Sequence, residues 1–406
     1  MHSLYLHIPF CRRRCAYCDF NTYAGQAALL PAYVEALCSE IRAVAASASE
    51  RLSVHTIFFG GGTPSLLTAE HFEAILQAIH DHFDLSDQSD LETSLEANPG
   101  TLTFGFLRDL RALGFNRLSL GVQSAHPDEL YQLERIHNFF AVIESVKWAR
   151  QAGFDNLNLD LIFGLPEQSL DRWQATVKLA LGLRPEHLSL YALTLEHGTP
   201  FGRWLARGLL PSPDPDLAAD MYEWAGEFLV AEGYLQYEIS NWAKPGCQCR
   251  HNLQYWRNQP YLGFGAGAHG YAAGMRYSNV LRIKTYIERL TSPFSLLTFP
   301  ISPATVNHQH ITPKTEMQET MITGLRLTQE GVSAEGFRAR FGVELREVFG
   351  KEIDELVTLG LLEWANPSPP SLSQPDREGG RGEGEVLRLT RRGRLLGNQV
   401  FMRFVG

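Results

Sequence analysis

The sequence predicts an α/β fold with a parallel sheet, followed by a smaller α+β module. Three observations lead there. Short apolar runs alternate with amphipathic segments as far as about residue 195. The runs are bounded by Gly, Pro or Asn, as strands buried on both faces tend to be. From Thr312 onward the texture changes to short helical patterns. Six successive strand–helix units imply right-handed crossovers between parallel strands. An open doubly wound sheet and a partial barrel both fit that alternation.

Taken in order, the expected strands are Ser3–Ile8, Val54–Phe59, Leu91–Glu96, Arg117–Gly121, Asn156–Ile162 and Leu188–Leu193. The expected helices between them are Pro31–Ala46, Ala69–Phe83, Thr103–Leu113, Phe139–Gln151 and Leu170–Leu181. Thr68 suits an N-cap, and Gly114 and Gly153 stand where C-terminal caps belong. Residues 197–310 are less regular. Pro211-Ser212-Pro213-Asp214-Pro215 reads as a hinge, Asp216–Glu232 as an amphipathic helix, and Gly233–Asn241 as extended. The Gly-rich run Gly263–Gly270 lets backbone approach another element or a ligand closely. Helical patterns at Lys314–Arg326, Ser333–Phe341 and Glu347–Leu359 precede strands at Leu361–Trp364 and Val386–Leu389, a winged-helix-like order. Residues 366–384, rich in Pro, Ser, Gly and charge, read as a mobile insertion.

The chain has 406 residues, with 36 basic and 45 acidic side chains and a formal charge of −9. A nucleic-acid binder normally shows a basic stripe, so nucleic acid is not expected as a partner, even for a winged helix. Met1-His2-Ser3 leads straight into a strand-like run, which predicts no signal peptide, and no apolar run is long enough to span a bilayer. The six cysteines are grouped as ligands are, which points to the reducing cytosol.

Cys11, Cys15 and Cys18 follow the first strand at C-x3-C-x2-C spacing. Three thiolates in one loop can hold three irons of a [4Fe–4S] cube and leave the fourth open. A structural zinc site and a reducible dithiol are the alternatives that spacing alone leaves open. Gly60-Gly61-Gly62-Thr63-Pro64 after the second strand is a tight turn or a ligand-binding loop, without the Lys-Ser/Thr of a Walker motif. Arg12, Arg13 and Arg14 either offset an anionic cluster or form a solvated basic loop.

C-x3-C-x2-C with Tyr17 before the last cysteine resembles the signature of radical S-adenosylmethionine (radical SAM) enzymes. The flanking Tyr5-x-His7-Ile8-Pro9-Phe10-Cys11 resembles the HemN coproporphyrinogen dehydrogenases and their HemW-like haem-chaperone relatives. The resemblance implies an incomplete (β/α)6 TIM-like radical SAM barrel over residues 1–200. A barrel extension over 201–311 and a HemN-type winged-helix-like domain over 312–406 would complete it. It also implies a [4Fe–4S] cluster on the three cysteines and S-adenosylmethionine bound near Tyr5, Tyr17, Gly61, Gly62, Thr63, Glu96, Gln123, Arg135 and Asp160. The glycine turn would hold the methionine amino group. Arg135, with its forked donors, suits the carboxylate. The cysteines and the glycine turn follow the first two strands, Glu96 ends the third, Gln123 follows the fourth and Asp160 lies in the fifth, so a barrel would gather them at one mouth.

Cys247-Gln248-Cys249-Arg250-His251-Asn252-Leu253-Gln254-Tyr255-Trp256 is the second informative block. By itself it reads as a loop histidine beside an aromatic core anchor. His251, Asn252, Tyr255 and Trp256 resemble the HNxxYW motif of HemW-like haem chaperones, which makes them candidate haem residues; Cys247 and Cys249 either assist or pair with each other. Coproporphyrinogen dehydrogenases carry a further cysteine two residues after the third ligand, where this chain has Phe20. The resemblance therefore favours a cytoplasmic chaperone carrying haem to acceptor proteins, with respiratory cytochromes as candidates. Transient association with a membrane face and a homodimer are further expectations. The rival is oxygen-independent decarboxylation of coproporphyrinogen III.

Overall fold

A computed structural model describes residues 1–87, 89–292, 298–366 and 384–405. Residues 367–383 of the expected insertion lie outside the described residues. The chain divides into two compact units, Met1–Ala225 with Pro260–His310, and Gly226–Gln259 with Ile311–Gly406.

The first unit holds the six expected strands: β1 (His2–Ile8), β2 (Ser53–Gly61), β3 (Glu92–Ala97), β4 (Arg117–Gln123), β5 (Leu157–Phe163) and β6 (His187–Ala192). Each pairs in parallel with the next. The helices α1 (Leu30–Ser47), α2 (Ala69–His82), α3 (Phe104–Ala112), α4 (Phe139–Gln151) and α5 (Leu170–Gly182) link them. Apolar residues on successive strands, among them Leu6, Phe59, Leu95, Leu120, Leu161 and Leu190, are buried. Thr68 caps α2 by accepting from the His71 N–H. Phe59 packs edge-on against Phe72 of α2, with ring centroids 5.2 Å apart, and both meet Phe115 ahead of β4.

A seventh parallel strand, β7 (Tyr261–Phe264), pairs with β1 on the side away from β2. The antiparallel strands β8 (His269–Ala272), β9 (Met275–Asn279) and β10 (Thr305–His310) continue the sheet. The Gly-rich run around β7 thus serves close approach to another element. Gly265 sits at φ +103, and a Cβ there would lie 2.5 Å from the His7 carbonyl oxygen. The sheet order within this unit is β6-β5-β4-β3-β2-β1-β7-β8-β9-β10. Among the described residues no pairing joins β6 to β1, so the barrel is incomplete.

The second unit packs the helices Pro313–Gly324, Ala334–Phe341 and Leu345–Thr358 against strands Leu362–Ala365 and Val386–Leu389, with a short third strand at Val332–Ser333. Met321, Leu325, Phe337, Ile353, Leu387 and Leu389 belong to its core. Among the described residues, no helix is long and apolar enough to cross a membrane.

Candidate functional site

One cavity of about 510 Å³ opens at the C-terminal ends of β1 to β6. Its wall takes residues from all six: Cys11–Thr22 after β1, Gly61–Thr63 at β2, Glu96 on β3, Gln123 on β4, Asp160 on β5, and Tyr191–Glu196 at and after β6. β1 and β6 are separated by four strands, so sharing one cavity requires the sheet to curl. That curl gathers residues far apart in sequence, as barrel sites do.

The cysteine loop is pinned at its middle. Ala16 N–H donates to the Leu133 carbonyl, and the Ala16 carbonyl accepts from Phe201 N–H. Ala16 is buried with Leu133, Ile162 and Phe201, so a small side chain is needed there. Downstream, the Asn21 amide donates to the Ala266 and Leu281 carbonyls. None of the six cysteines is joined in a disulfide, Cys247 and Cys249 included. Three side chains meet the motif thiols: Thr63 Oγ1 donates to Cys11 Sγ at 3.5 Å, Arg135 Nη1 to Cys15 Sγ at 3.4 Å, and Thr22 Oγ1 lies 3.9 Å from Cys18 Sγ and also bears on Cys11. Burial pushes the Cys11 and Cys18 thiols up. Among the described residues, no three His, Cys, Asp or Glu side chains converge as one metal ion would require; the thiols border a shared cavity instead. Of the three arginines, Arg13 pairs with Glu134 at 3.2 Å, and Arg13 and Arg14 border the cavity.

The glycine turn lies directly beside the loop. Gly61 N–H donates to Glu96 Oε2 at 3.0 Å, Gly62 N–H to the Ile8 carbonyl, and Thr63 N–H to the Phe10 carbonyl. With those donors engaged, the turn can offer a ligand carbonyl oxygens, which suit an ammonium group. A Cβ on Gly62 would meet the Phe10 carbonyl oxygen at 2.7 Å.

Gln123 ends β4 at φ +71, where the pairing with β5 slips by a residue. Such a bulge re-aims a side chain, and a left-handed non-glycine residue is uncommon. Among the described residues its buried Oε1 has no partner, nor does Arg135 Nε. Arg135 Nη2 is anchored on the Gly121 carbonyl at 2.6 Å. Two unpartnered buried polar atoms on one cavity fit a polar ligand that brings both a donor and an acceptor.

Asp160 is held from both sides, by Ser119 Oγ at 3.0 Å and Asn158 Nδ2 at 2.8 Å. Asn158 is fixed in turn, its Oδ1 2.6 Å from His187 Nδ1 and accepting from Ser189 Oγ. Burial raises the Asp160 carboxyl, and these donors oppose the shift. Sequence reasoning missed Ser119, Asn158 and His187. The signal was present, since Asn158 and Asp160 are polar at i and i+2 on a buried strand and so share a face.

Two groups stand apart. Tyr5 does not border the cavity; it is half-buried against Gly60, with its hydroxyl 3.0 Å from His7 Nδ1. Of the haem candidates, none borders this cavity. They lie on a short helix, Arg250–Trp256, which corrects the reading of His251 as a loop residue. His251 is 1 % exposed, with its Nε2 2.8 Å from the Tyr255 hydroxyl. Trp256 stacks under the Arg326 guanidinium, 4.3 Å from the ring centroid. It alone of the four borders a smaller cavity of about 230 Å³ in the second unit. That is below the usual size of a ligand pocket. Phe20, in contrast, is 63 % exposed at the mouth of the large cavity.

Comparison with known proteins gives consistent results. Residues 5–180 match the model of the Radical SAM superfamily, and residues 311–366 that of the HemN C-terminal domain. The chain is 38% identical to heme chaperone HemW of Bacillus subtilis (strain 168), over 100% of both chains. It is 43% identical to heme chaperone HemW of Escherichia coli (strain K12), over 66% of this chain and 69% of that one. The solved structure of coproporphyrinogen III oxidase (HemN) from Escherichia coli, described as a radical SAM enzyme, aligns with a TM-score of 0.79 at 24% identity. That alignment covers 99% of this chain and 89% of the other, and it supports the fold.

Proposed function

We propose, from the premise that the chain belongs to the HemW heme-chaperone family of the radical SAM superfamily, that it binds haem and delivers it to haem-dependent proteins. The observation that carries this is identity at 38% along the whole of both chains to a protein named heme chaperone HemW. Respiratory cytochromes are the proposed acceptors.

In this reading Cys11, Cys15 and Cys18 hold a [4Fe–4S] cluster. Gly61, Gly62, Thr63, Glu96, Gln123, Arg135 and Asp160 surround S-adenosylmethionine, with Tyr17 beside them and Tyr5 supporting the floor. When bound, the pair supplies one-electron chemistry that no side chain here provides. The chain's own residues bind and orient. Arg135 and Gln123 offer the unpartnered Nε and Oε1, the turn carbonyls take the ammonium, and Asp160 accepts from ribose hydroxyls. His251, Asn252, Tyr255 and Trp256 are the proposed haem residues. For His251 to reach iron, its contact with Tyr255 must open.

The test uses one anaerobically reconstituted sample, assayed for haem binding by spectral titration and for turnover of coproporphyrinogen III. Haem binding without decarboxylation is expected. Formation of protoporphyrinogen IX would overturn the chaperone reading in favour of the dehydrogenase. His251→Ala should weaken haem binding; unchanged affinity would remove His251 from the site.

A further inference from the structure

Three side chains meet the motif cysteines, Thr63, Arg135 and Thr22, and the first two stand out. The Thr63 hydroxyl is buried at the end of the glycine turn, and among the described residues its one hydrogen-bond acceptor is Cys11 Sγ, at 3.5 Å. Its backbone N–H is fixed separately on the Phe10 carbonyl, so the hydroxyl direction is set by the turn. Arg135 reaches Cys15 Sγ with Nη1 at 3.4 Å while Nη2 is anchored on the Gly121 carbonyl at 2.6 Å, which aims the guanidinium at the sulfur. Thr22 stands 3.9 Å from Cys18, with either atom able to donate, a looser contact.

We propose that Thr63 and Arg135 act through Cys11 and Cys15 as positioning residues of the iron–sulfur cluster, their hydrogen bonds to the thiolate sulfurs raising its reduction potential. This rests on the cluster assignment above. Reduction adds one negative charge to the cluster and its thiolates. A donor aimed at sulfur stabilises the reduced form more than the oxidised one, and charge-assisted bonds do so most. The Thr63 hydroxyl thereby serves the metal side of the cavity, leaving the turn's carbonyl oxygens for the methionine end of S-adenosylmethionine.

The experiment is a redox titration of the reconstituted cluster, followed by the electron paramagnetic resonance signal of its reduced form, without S-adenosylmethionine. Thr63→Val keeps the shape and removes the donor. At the wild-type midpoint its reduced-to-oxidised ratio should fall about tenfold, a shift of about 59 mV for one electron. Thr63→Ser, which keeps a hydroxyl, should titrate with wild type. Arg135→Gln should fall further than Thr63→Val, and Thr22→Val less. The proposal is overturned if Thr63→Val and Thr63→Ser shift together, or if Thr63→Val and Arg135→Gln both keep the wild-type midpoint at full iron content. A wild-type protein that assembles no iron–sulfur cluster overturns the parent assignment and this one with it; a normal cluster with unmoved midpoints sinks this one alone.

Discussion

Burial and the neighbouring Asp160 push the Glu96 carboxyl up to about 7, while the Gly61 N–H pulls the other way. A carboxyl whose pKa is raised on folding favours the folded state only while protonated. Its penalty is absent below about pH 4.5, grows as pH rises, and is complete above about pH 7. Glu96→Gln should therefore leave the ligand-free protein's stability unchanged near pH 4 and raise it by up to about 3 kcal/mol at pH 8. The same variant should bind S-adenosylmethionine more weakly, since it gives up one of the carboxylates proposed to surround that ligand. Chemical denaturation at the two pH values, with a binding titration beside it, reads both effects. Single residues were legible in the sequence where they sat in a motif. Cys11, Gly62 and Glu96 did; Ser119 and Asn158 did not, because a buried polar residue in a strand declares a partner without naming it.

At the scale of elements, two glycines at positive φ have opposite surroundings. Gly274, at φ +67 in the β8–β9 hairpin, has nothing within 4 Å of where a Cβ would stand. Gly265, at φ +103 after β7, has the His7 carbonyl oxygen at 2.5 Å and the Tyr33 hydroxyl at 2.6 Å. Gly274→Ala should cost about 1 kcal/mol, the left-handed penalty alone. Gly265→Ala should cost more than about 2 kcal/mol, because backbone must move as well. Thermal unfolding of the two variants side by side checks the contrast. The six strands and five helices were legible because buried parallel strands are apolar runs cut off by Gly, Pro or Asn. β7 was not, since two of the residues at its end are glycines and its partner is the far-off β1. The helix carrying His251 was missed too, its seven residues, polar or aromatic apart from Leu253, showing no clean apolar stripe.

On the scale of the whole first unit, one buried carboxylate ties the closing strands to the first helix. Glu40 of α1 accepts from Gly265 N–H at 2.8 Å, Asn279 Nδ2 at 2.8 Å, Tyr286 Oη at 2.6 Å and Ser302 Oγ at 2.6 Å. Burial raises its carboxyl, and these donors oppose the rise. Glu40→Ala strands four buried donors and should cost about 4 kcal/mol or more. Glu40→Gln should be only partly better, since its amide nitrogen faces donors on one side. Urea denaturation of both variants tests the ranking. No sequence periodicity announces this residue, because its partners lie more than two hundred positions downstream.

The anchoring of the cysteine loop on Ala266 and Leu281 carries a consequence for biosynthesis. As the chain leaves the ribosome, Cys11, Cys15 and Cys18 emerge well before the Ala266 and Leu281 anchors and before β7, the neighbour of β1. Nascent chains halted before residue 260 should therefore display three thiols open to alkylating reagents and oxidants, and chains extended past residue 305 should shield them. Oxidative damage should then fall mainly on the shorter chains.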